Sequence, residues 1–249
     1  MRFNSPLRYP GGKGKLSNFF KLLLRSNRLL DSHYIEPYAG GAGIALELLF
    51  EEYVTHIHIN DLNRSIYAFW YSVLNRTEEL CQKIEDTPVT IKEWNKQKAI
   101  QAKSKTVNLL ELGFSTFFLN RTNRSGIIKG GIIGGKEQDG KWKLDVRFNK
   151  MDLIKRIEKI ARYKNRISIH NKDAFAFLDL VLPRIPKKSL IYFDPPYYNK
   201  GSDLYENFYG HDDHLEISKK IKRMKLFWVV SYDNTPQIQQ FYEGCNKII

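Results

Sequence analysis

Short runs rich in β-branched and aromatic residues alternate with longer amphipathic stretches along this chain of 249 residues. Runs of the first kind are typical of strands, and apolar residues spaced three and four positions apart are typical of helices. The runs that fit a strand are 33–38, 55–60, 166–170, 189–193 and 226–231. Helical patterns lie between them, so the chain is predicted to form an α/β fold with a mostly parallel sheet flanked by helices.

One interval between predicted strands is much longer than the others. It spans about a hundred residues, too many for a simple crossover between parallel strands. We therefore expect a discontinuous main domain formed by residues 1–61 and 166–249, and a mainly helical insert formed by residues 62–165. The insert should end in a helix from about Lys150 to Tyr163, which carries apolar residues on one face: Leu153, Ile154, Ile157, Ile160 and Ala161.

The insert contains a glycine-rich segment. Six of the sixteen glycines of the chain fall between Gly126 and Gly140. Glycine at this density disfavours a helix and predicts a loop or hairpin. Basic residues are interleaved with these glycines and follow them: Lys129, Lys136, Lys141, Lys143 and Arg147. Residue types alone leave two interpretations open, a loop that contacts a phosphate backbone and a solvated surface loop.

Charge favours a polyanionic partner. Lys and Arg total 40 against 27 Asp and Glu, for a net charge of +13, and a basic excess of this kind suits a nucleic acid. Cys81 and Cys245 have no metal or redox spacing, which predicts reduced thiols in the cytoplasm. No apolar run is long enough to span a bilayer and no signal peptide is recognised, so we expect no role at a membrane.

The densest chemical signal is Asp194-Pro195-Pro196-Tyr197, at the end of the fourth predicted strand. Prolines cannot continue a sheet ladder, so they should hold the carboxylate, a backbone carbonyl and the Tyr197 ring at the edge where α/β sheets bind ligands. A carboxylate and a carbonyl can accept both hydrogens of an exocyclic amine, and a ring can cover a flat heterocycle. The motif predicts a site for a nucleobase amine. Taken alone, it also fits a simple turn.

A glycine-rich turn follows the first predicted strand and precedes an apolar helix that begins near Ile44. Its glycines allow close approach of the backbone to a ligand. Asp61 ends the next strand, eighteen residues beyond Gly43, near the offset of about 20 residues at which an acid binds ribose hydroxyls. We predict a nucleoside cofactor here. The spacing differs from the GxGxxG pattern of nicotinamide enzymes.

Three further segments have weaker signals. The N-terminal segment from Leu7 to Lys15 has lysines among glycines but lacks the Walker pattern, which argues against an ATP site. His211-Asp212-Asp213-His214 holds metal-ligating residue types, yet adjacent residues do not share a helix face. We read it as the start of a helix running to Lys222, with no metal. Tyr198 to Gly210 is either a lid or an ordinary loop.

Three of these motifs occur along the chain in the order N-terminal lysine-glycine segment, glycine-rich turn, Asp-Pro-Pro-Tyr. In that order they resemble the motifs of the DNA adenine-N6 methyltransferases of the Dam-related class. Those enzymes have a Gly-Gly-Lys segment, a Glu/Asp-Pro-Phe-x-Gly turn, a recognition insert and an Asp-Pro-Pro-Tyr tetrapeptide. The resemblance covers nearly the whole chain. It implies a Rossmann-like S-adenosylmethionine-dependent methyltransferase sheet as the catalytic domain, with residues 62–165 as the target-recognition insert. It also implies direct transfer of a methyl group to N6 of an adenine flipped out of double-stranded DNA.

The resemblance assigns residues to the cofactor and to the target base. Cofactor contacts are implied for Tyr9, Lys13 (beside the cofactor carboxylate), Glu36, Tyr38, Gly40, Gly43, Asp61 (at the ribose), Asp173 and Ala174 (at the adenine) and Asp194. The implied catalytic set is Asp194, Pro195, Pro196 and Tyr197. The implied DNA contacts are Asn120, Arg121, Arg124, Lys129 and Lys136. Tyr38 stands where the family usually has Phe, and the glycine turn is one residue looser than the family pattern.

The resemblance also suggests a biological setting. It implies a restriction–modification role with a cognate restriction endonuclease as a further partner, and a monomer or weak dimer. Cytosine-N4 methylation, an RNA substrate and a catalytically inert nucleic-acid-binding module remain as alternatives. Sheets of this family close with one more antiparallel strand, which is not seen after the last predicted helix. We therefore expect either a truncated chain or a sheet that ends early and leaves an exposed edge, which a partner would complete.

Overall fold

The computed structural model describes residues 4–8, 13, 16–199 and 209–246. Within these ranges one parallel sheet has the strand order β3-β2-β1-β4-β5. The strands are β1 (Ser32–Glu36), β2 (Val54–Asn60), β3 (Ile167–His170), β4 (Ser189–Phe193) and β5 (Phe227–Val230). Each coincides with one of the predicted runs to within two residues at either end. The predicted α/β fold with a parallel sheet is confirmed.

The helices lie before, between and after the strands in the described ranges. In chain order they are α1 (Ser17–Ser26), α2 (Gly43–Phe50), α3 (Arg64–Asn75), α4 (Thr77–Asp86), α5 (Ile91–Ala102), α6 (Leu109–Thr122), α7 (Lys150–Arg162), α8 (Ala174–Val181), α9 (His211–Lys222) and α10 (Pro236–Phe241). No helix in the part of the chain that the structure describes is long and apolar enough to cross a membrane.

The central strands are buried on both faces. Tyr34 and Leu190 are paired across β1 and β4 and belong to one hydrophobic cluster. Their chain neighbours Ile35 and Ile191 are also paired and belong to a second cluster on the other face. Successive residues of a strand point to opposite faces. Burial of both faces therefore explains why these strands read as continuous apolar runs.

Side-chain caps define the starts of four of the five α-helices described in the long interval between β2 and β3, the exception being α4. Asn63, Thr90, Asn108 and Asn149 each accept a hydrogen bond from a backbone N–H in the first turn of the helix that follows. Such caps stabilise a helix by about 1 kcal/mol each. All four are short polar side chains of the types favoured at a helix start, so local sequence determines where these four helices begin.

Helix α6 extends the helical pattern beyond Leu110, where the sequence signal weakens. It continues through Phe114, Phe117 and Phe118, all of which are buried. A helix that is apolar on most sides has no clear periodicity, which hides it in the sequence. Gly113 lets α6 approach α3 closely, because a Cβ atom at this position would lie 2.5 Å from the Ala68 carbonyl oxygen.

The helices of residues 62–165 pack directly against the sheet. Phe69 and Trp70 of α3 lie in the same hydrophobic cluster as Ile57 and Ile59 of β2. The cluster continues through α6 to Phe148, just before α7. The insert and the sheet thus share one core on this side. The division of the chain into a catalytic domain and a recognition insert stays a prediction.

Candidate active site

Acidic residues follow four neighbouring strands at one edge of the sheet. Glu36 ends β1, Asp61 and Asp194 directly follow β2 and β4, and Asp173 follows β3 by three residues. Parallel strands end on the same side, which is where open α/β sheets bind their ligands. Because β1 lies between β2 and β4, Glu36 is placed between Asp61 and Asp194. The sheet therefore joins the glycine turn and the Asp-Pro-Pro-Tyr motif at one edge.

The turn after β1 is fixed from several sides. Gly40 and Ala42 have left-handed backbones, with φ of 46° and 47°, a region that glycine enters readily and alanine rarely. The Gly40 N–H donates to Asp61 Oδ2 at 2.9 Å, and the Gly40 carbonyl accepts from Trp70 Nε1 at 2.9 Å. Gly43 then begins α2. The turn presents a preformed backbone surface at the start of a helix.

Asn60 is a buried link between strand ends that the motifs did not reveal. Its Nδ2 donates to the Pro37 and Lys172 carbonyls at 2.9 and 3.0 Å, and its Oδ1 accepts from the Lys172 N–H at 3.0 Å. Beside it lies a small crevice of about 160 Å³, lined by Ala39, Ile59, Asn60, Asp61, Tyr67, Trp70, Ile169 and His170. The sequence signal that could have identified Asn60 is its position as a polar residue at the end of an apolar strand.

Asp61 and Asp173 both hold local backbone. Asp61 Oδ1 accepts from the Asn63 N–H at 2.9 Å, in addition to the bond from Gly40. Asp173 caps α8, because its Oδ1 accepts from the N–H groups of Phe175 and Ala176 at 2.9 and 3.3 Å. Ala174, the first residue of α8, is buried. These bonds orient both carboxylates at the sheet edge, and their contacts with ribose and adenine stay predictions.

Asp194 is surrounded by Lys13, Tyr197 and Ser231. Lys13 Nζ lies 2.9 and 3.1 Å from the two carboxylate oxygens, and the Ser231 hydroxyl donates to Oδ1 at 2.6 Å. The same ammonium contacts the Tyr197 hydroxyl and lies 4.7 Å from the centroid of its ring. The Lys13 and Asp194 side chains are 18% and 20% exposed. The ion pair therefore lies at an opening, and the structure pairs Lys13 with Asp194.

The two prolines and the residues after β5 support this arrangement. Pro195 and Pro196 are buried. Asp233 accepts from the N–H groups of Tyr198 and Asn199 at 2.8 and 3.0 Å, which fixes the chain just beyond Tyr197. Ser231 and Asp233 were not predicted as site residues. Because β5 pairs with β4, polar residues directly after β5 must lie beside the motif that follows β4.

Burial shifts the protonation of the acids. It raises the pKa of Asp194, although the Lys13 charge and the Ser231 hydrogen bond oppose the shift. It raises the pKa of Glu36 to about 8, and the nearby charge of Asp194 contributes to this. Burial alone would lower the pKa of Lys13, but Asp194 and Tyr197 raise it overall. Glu36 is therefore mostly protonated at neutral pH, while Lys13 remains a cation.

Some predicted site elements lie partly or wholly outside the residues that the structure describes. Tyr9 and most of the predicted lid, residues 200–208, lie outside the described residues. Tyr38 contacts Tyr209 edge to face, with ring centroids 6.3 Å apart and hydroxyl oxygens at 3.4 Å. The position of Tyr38 in the glycine turn therefore brings it against the described end of the predicted lid.

The His211–His214 segment begins α9, as predicted. The Gly210 N–H donates to Asp213 Oδ2 at 2.8 Å, which caps the helix. His214 is buried, with Nδ1 3.0 Å from the Tyr232 hydroxyl. No cluster of three or more potential ligands suited to a metal ion occurs among the residues described here.

The glycine-rich segment of the insert folds back on itself. Asn123 and Ile132 form an antiparallel bridge, and the Arg124 N–H donates to the Gly131 carbonyl at 2.9 Å. Of the two predicted forms, a loop or a hairpin, the structure shows the hairpin. Arg124, Lys129 and Lys136 have exposed side chains on this segment. These three predicted DNA-contacting residues are therefore accessible to a ligand.

The other two predicted DNA-contacting residues lie inside the fold. Asn120 is 1% exposed. Its Oδ1 accepts from the Arg8 N–H at 2.7 Å, and its Nδ2 donates to the carbonyls of Arg8 and Gly126 at 2.6 and 2.8 Å. Asn120 therefore supports the Arg8 backbone, and its burial disfavours direct contact with DNA.

Arg121 is half-buried and donates to the carbonyls of Arg147 and Pro6 at 2.7 and 3.3 Å. Burial, with the charges of Arg8 and Arg156 close by, lowers the pKa of Arg121 to about 10. Several guanidinium groups thus gather where the insert meets the N-terminal segment. Such a gathering produces a positive potential that favours anionic groups.

Comparison with known proteins agrees with this geometry. A family model for D12 class N6 adenine-specific DNA methyltransferases matches residues 9–249. The Type II methyltransferase M.MjaIII of Methanocaldococcus jannaschii is 25% identical over 267 aligned residues, which cover 96% of this chain and 88% of that protein. The family match includes the glycine turn, the insert and the Asp-Pro-Pro-Tyr motif. The chain therefore belongs to the D12 class of N6 adenine-specific DNA methyltransferases.

Proposed function

We propose that this enzyme binds S-adenosylmethionine along the ends of β1, β2 and β3, and an adenine extruded from duplex DNA beside Asp194. As a D12-class enzyme, the protein methylates adenine N6 in DNA. The observation that carries the proposal is the cluster of Asp194, Tyr197 and Ser231 at the same sheet edge as the buried Glu36. This arrangement brings a base-binding acid next to a turn suited to the methyl donor.

The residues of the glycine turn fit the cofactor. S-adenosylmethionine supplies a methyl group on a positively charged sulfur, and its methionine part carries an ammonium group. Glu36 is a buried carboxyl with a pKa of about 8, and a cation brought beside it would favour its ionised form. In this proposal the turn from Glu36 to Gly43 holds the methionine part, Asp61 binds the ribose, and Asp173 and Ala174 lie at the adenine of the cofactor.

Asp194 and the Pro195 carbonyl would hold the target amine. The lone pair of an adenine amine is delocalised into the ring, which makes the nitrogen a poor nucleophile. Hydrogen bonds to the carboxylate and the carbonyl favour a pyramidal nitrogen. They also stabilise the positive charge that grows on it, more strongly in the transition state than before reaction. The Ser231 hydroxyl orients the carboxylate and favours its ionised form.

Tyr197 would stack on the extruded base. The target amine is inaccessible inside a duplex, and extrusion of a base costs about a few kcal/mol. Stacking on an aromatic ring contributes about 1–3 kcal/mol per base and offsets part of this cost. The half-buried ring of Tyr197 lies beside Asp194, so one base can contact both groups.

The insert would bind the duplex around the target. Arg124, Lys129 and Lys136 are exposed on the hairpin, and the whole chain has a net charge of +13. Basic side chains at phosphates supply affinity and register, whereas contacts to base edges select the sequence. We propose that the hairpin contributes phosphate contacts and that Asn120 and Arg121 support it from inside the fold.

A restriction–modification role is proposed from the relative that is named a Type II methyltransferase. In that setting a cognate restriction endonuclease would cut the same DNA sequence when it is unmethylated. We also propose that the enzyme acts in the cytoplasm, as a monomer or weak dimer. Protection of the methylated sequence from endonucleases tested on the same duplex would support this part of the proposal.

The test of the proposed function is incubation with methyl-labelled S-adenosylmethionine and duplexes of varied sequence, followed by mapping of the modified base. We expect label in N6-methyladenine at a fixed sequence, identified by mass analysis of the digested nucleosides. Structured RNA assayed in parallel should remain unlabelled. Label in N4-methylcytosine, or equal labelling of RNA, would contradict the proposal.

Cofactor binding should release protons near neutral pH. Free Glu36, with a pKa of about 8, holds its proton at pH 7, and a cation beside the carboxyl lowers that pKa. The affinity for S-adenosylmethionine should therefore rise at least about tenfold from pH 6 to pH 8 and level off above it. Isothermal titration calorimetry at pH 7, in buffers of different ionisation enthalpy, counts the released protons.

Two substitutions make this measurement specific. Glu36→Gln cannot release a proton, so the pH dependence of the affinity should flatten. Glu85→Gln removes an exposed carboxyl on α4 and should behave like the wild type. A pH dependence that survives Glu36→Gln would assign the proton to another group.

A further inference from the structure

We propose that Lys13 is a positioning residue that occupies the target-base site when no base is present and has to leave before an adenine enters. The proposal rests on the function proposed above for Asp194 and Tyr197. It goes beyond that function because it assigns the resting enzyme a self-blocked site. Entry of the base is then an exchange of one donor for another at the same carboxylate.

The Lys13 ammonium makes the contacts that the target adenine is proposed to make. It donates to the Asp194 carboxylate at 2.9 and 3.1 Å, and it lies 4.7 Å from the centroid of the Tyr197 ring. An adenine bound for reaction also needs an N–H directed at that carboxylate and a face on that ring. The two groups therefore compete for the same acid and the same aromatic surface.

The acceptor capacity of Asp194 strengthens this argument. A carboxylate offers about four lone-pair positions. Ser231 occupies one of them on Oδ1, and Lys13 contacts both oxygens. One position remains, but the ammonium that contacts both oxygens and lies over the Tyr197 ring fills the space from which a stacked base would reach it. A base amine can gain its full contact with Asp194 only after Lys13 has moved away.

The ion pair is accessible enough to open. Both side chains are about one-fifth exposed, at 18% and 20%. A displaced ammonium needs a new anionic partner, because an unpaired charge at a half-buried position is unfavourable. Both substrates bring anionic oxygens, on the DNA phosphates and on the cofactor carboxylate. Arrival of a substrate can thus draw Lys13 away from Asp194.

Arg8 connects the N-terminal segment to the insert. It lies five residues before Lys13 in the sequence, and its backbone N–H and carbonyl each form a hydrogen bond with the Asn120 side-chain amide. Gly126 packs so closely on Arg8 that a Cβ atom there would lie 2.2 Å from the Arg8 carbonyl oxygen. The insert that is proposed to bind DNA therefore contacts the chain at Arg8, close to Lys13 in the sequence.

Permanganate footprinting tests the proposal with natural DNA. Permanganate oxidises an unstacked thymine, including the one left unpaired opposite an extruded adenine. Without cofactor and at saturating protein, Lys13→Gln should raise the reactivity of that thymine about fivefold over the wild type. Lys13→Arg keeps a cation that can pair with Asp194, so its reactivity should stay at or below the wild-type value. Lys21→Gln removes the same charge from α1, where Lys21 pairs with Glu47 and Glu51, and should match the wild type.

Two arms of the experiment identify what displaces Lys13. In the wild type, addition of S-adenosylhomocysteine, which carries the carboxylate without the methyl group, raises thymine reactivity if the cofactor carboxylate is the new partner. If DNA phosphates are the partner, reactivity rises with DNA occupancy alone and stays below that of Lys13→Gln. Either result supports the exchange, provided that Lys13→Gln exceeds the wild type.

Equal thymine reactivity in the wild type, Lys13→Gln and Lys13→Arg would overturn the proposal. If Lys13→Gln does not fold, as judged by circular dichroism, Lys13→Arg decides the matter. Its guanidinium should hold Asp194 at least as firmly, so it should lower kcat/KM for DNA about tenfold; an unchanged value would then overturn the proposal. Failure of the function assigned to Asp194 would look different, because Asp194→Asn would retain methyl transfer.

Discussion

Replacing Asp194 with asparagine should abolish methyl transfer while the protein still binds duplex DNA. The carboxylate is proposed to accept the target amine and to stabilise the charge that develops on its nitrogen, and an amide presents only one acceptor oxygen. Loss of one such preorganised contact lowers kcat by about 100- to 1000-fold, and loss of the negative charge adds to this. We expect a decrease of at least about 1000-fold. Single-turnover transfer of labelled methyl groups and a gel-shift assay measure the two properties.

Controls separate this effect from misfolding. Asp194→Asn leaves Lys13 without its anionic partner, so the melting temperature has to be measured alongside activity. Asp212→Asn removes an equal charge from the exposed first turn of α9 and should leave methyl transfer unchanged. Asp194→Ala should repeat the loss. If catalysis and DNA binding fall together in the Asp194 variants, the carboxylate supports the fold and has no special role in transfer.

Replacing Asn120 with alanine should destabilise the protein by about 3 kcal/mol. The side chain makes three hydrogen bonds at a position that is 1% exposed. Its removal leaves the Arg8 N–H and the carbonyls of Arg8 and Gly126 without those partners, and a buried group that loses its partner costs about 1–3 kcal/mol. Urea unfolding followed by circular dichroism at fixed pH and salt provides the free energy of unfolding.

Arg124→Ala is the matched comparison on the same hairpin. Its side chain is exposed, so the free energy of unfolding should change by no more than about 0.5 kcal/mol. Its affinity for DNA should decrease, and the salt dependence of binding should fall by about one counterion. A stable Asn120→Ala variant with weakened DNA binding would instead make Asn120 a direct DNA contact, as the family resemblance implies.

Most of the framework was predictable from local sequence. The strands were identified by their apolar runs, and buried pairs such as Ile35 and Ile191 account for those runs. Asp61 and Asp194 could be placed at one sheet edge because residues that directly follow parallel strands must meet there. The start of α9 at His211 followed from the spacing of its side chains and from the acids that favour a helix N-terminus.

The remaining features depend on contacts between distant segments. Ser231 supports Asp194 only because β5 pairs with β4. The order of strands in a sheet cannot be predicted from the sequence of any single strand. Helix α6 lacks a polar face, so periodicity could not reveal its length. Lys13 pairs with Asp194 across 181 sequence positions, whereas the family resemblance implied a cofactor contact. The family resemblance placed Asn120 among the DNA contacts, and only its burial shows that it supports the Arg8 backbone.

The continuous hydrophobic cluster that joins Phe69 and Trp70 to Ile57 and Ile59 constrains protein engineering in this class. A chimaera that grafts the hairpin of a relative onto this scaffold meets the cluster at Ile132, so a graft that keeps an apolar residue there can change target specificity with little repacking. A chimaera that exchanges residues 62–165 as a cassette cuts through the cluster. Such a chimaera would need matching substitutions on β2 to refold. The choice of boundary between grafted and retained residues therefore decides how many core positions have to be redesigned.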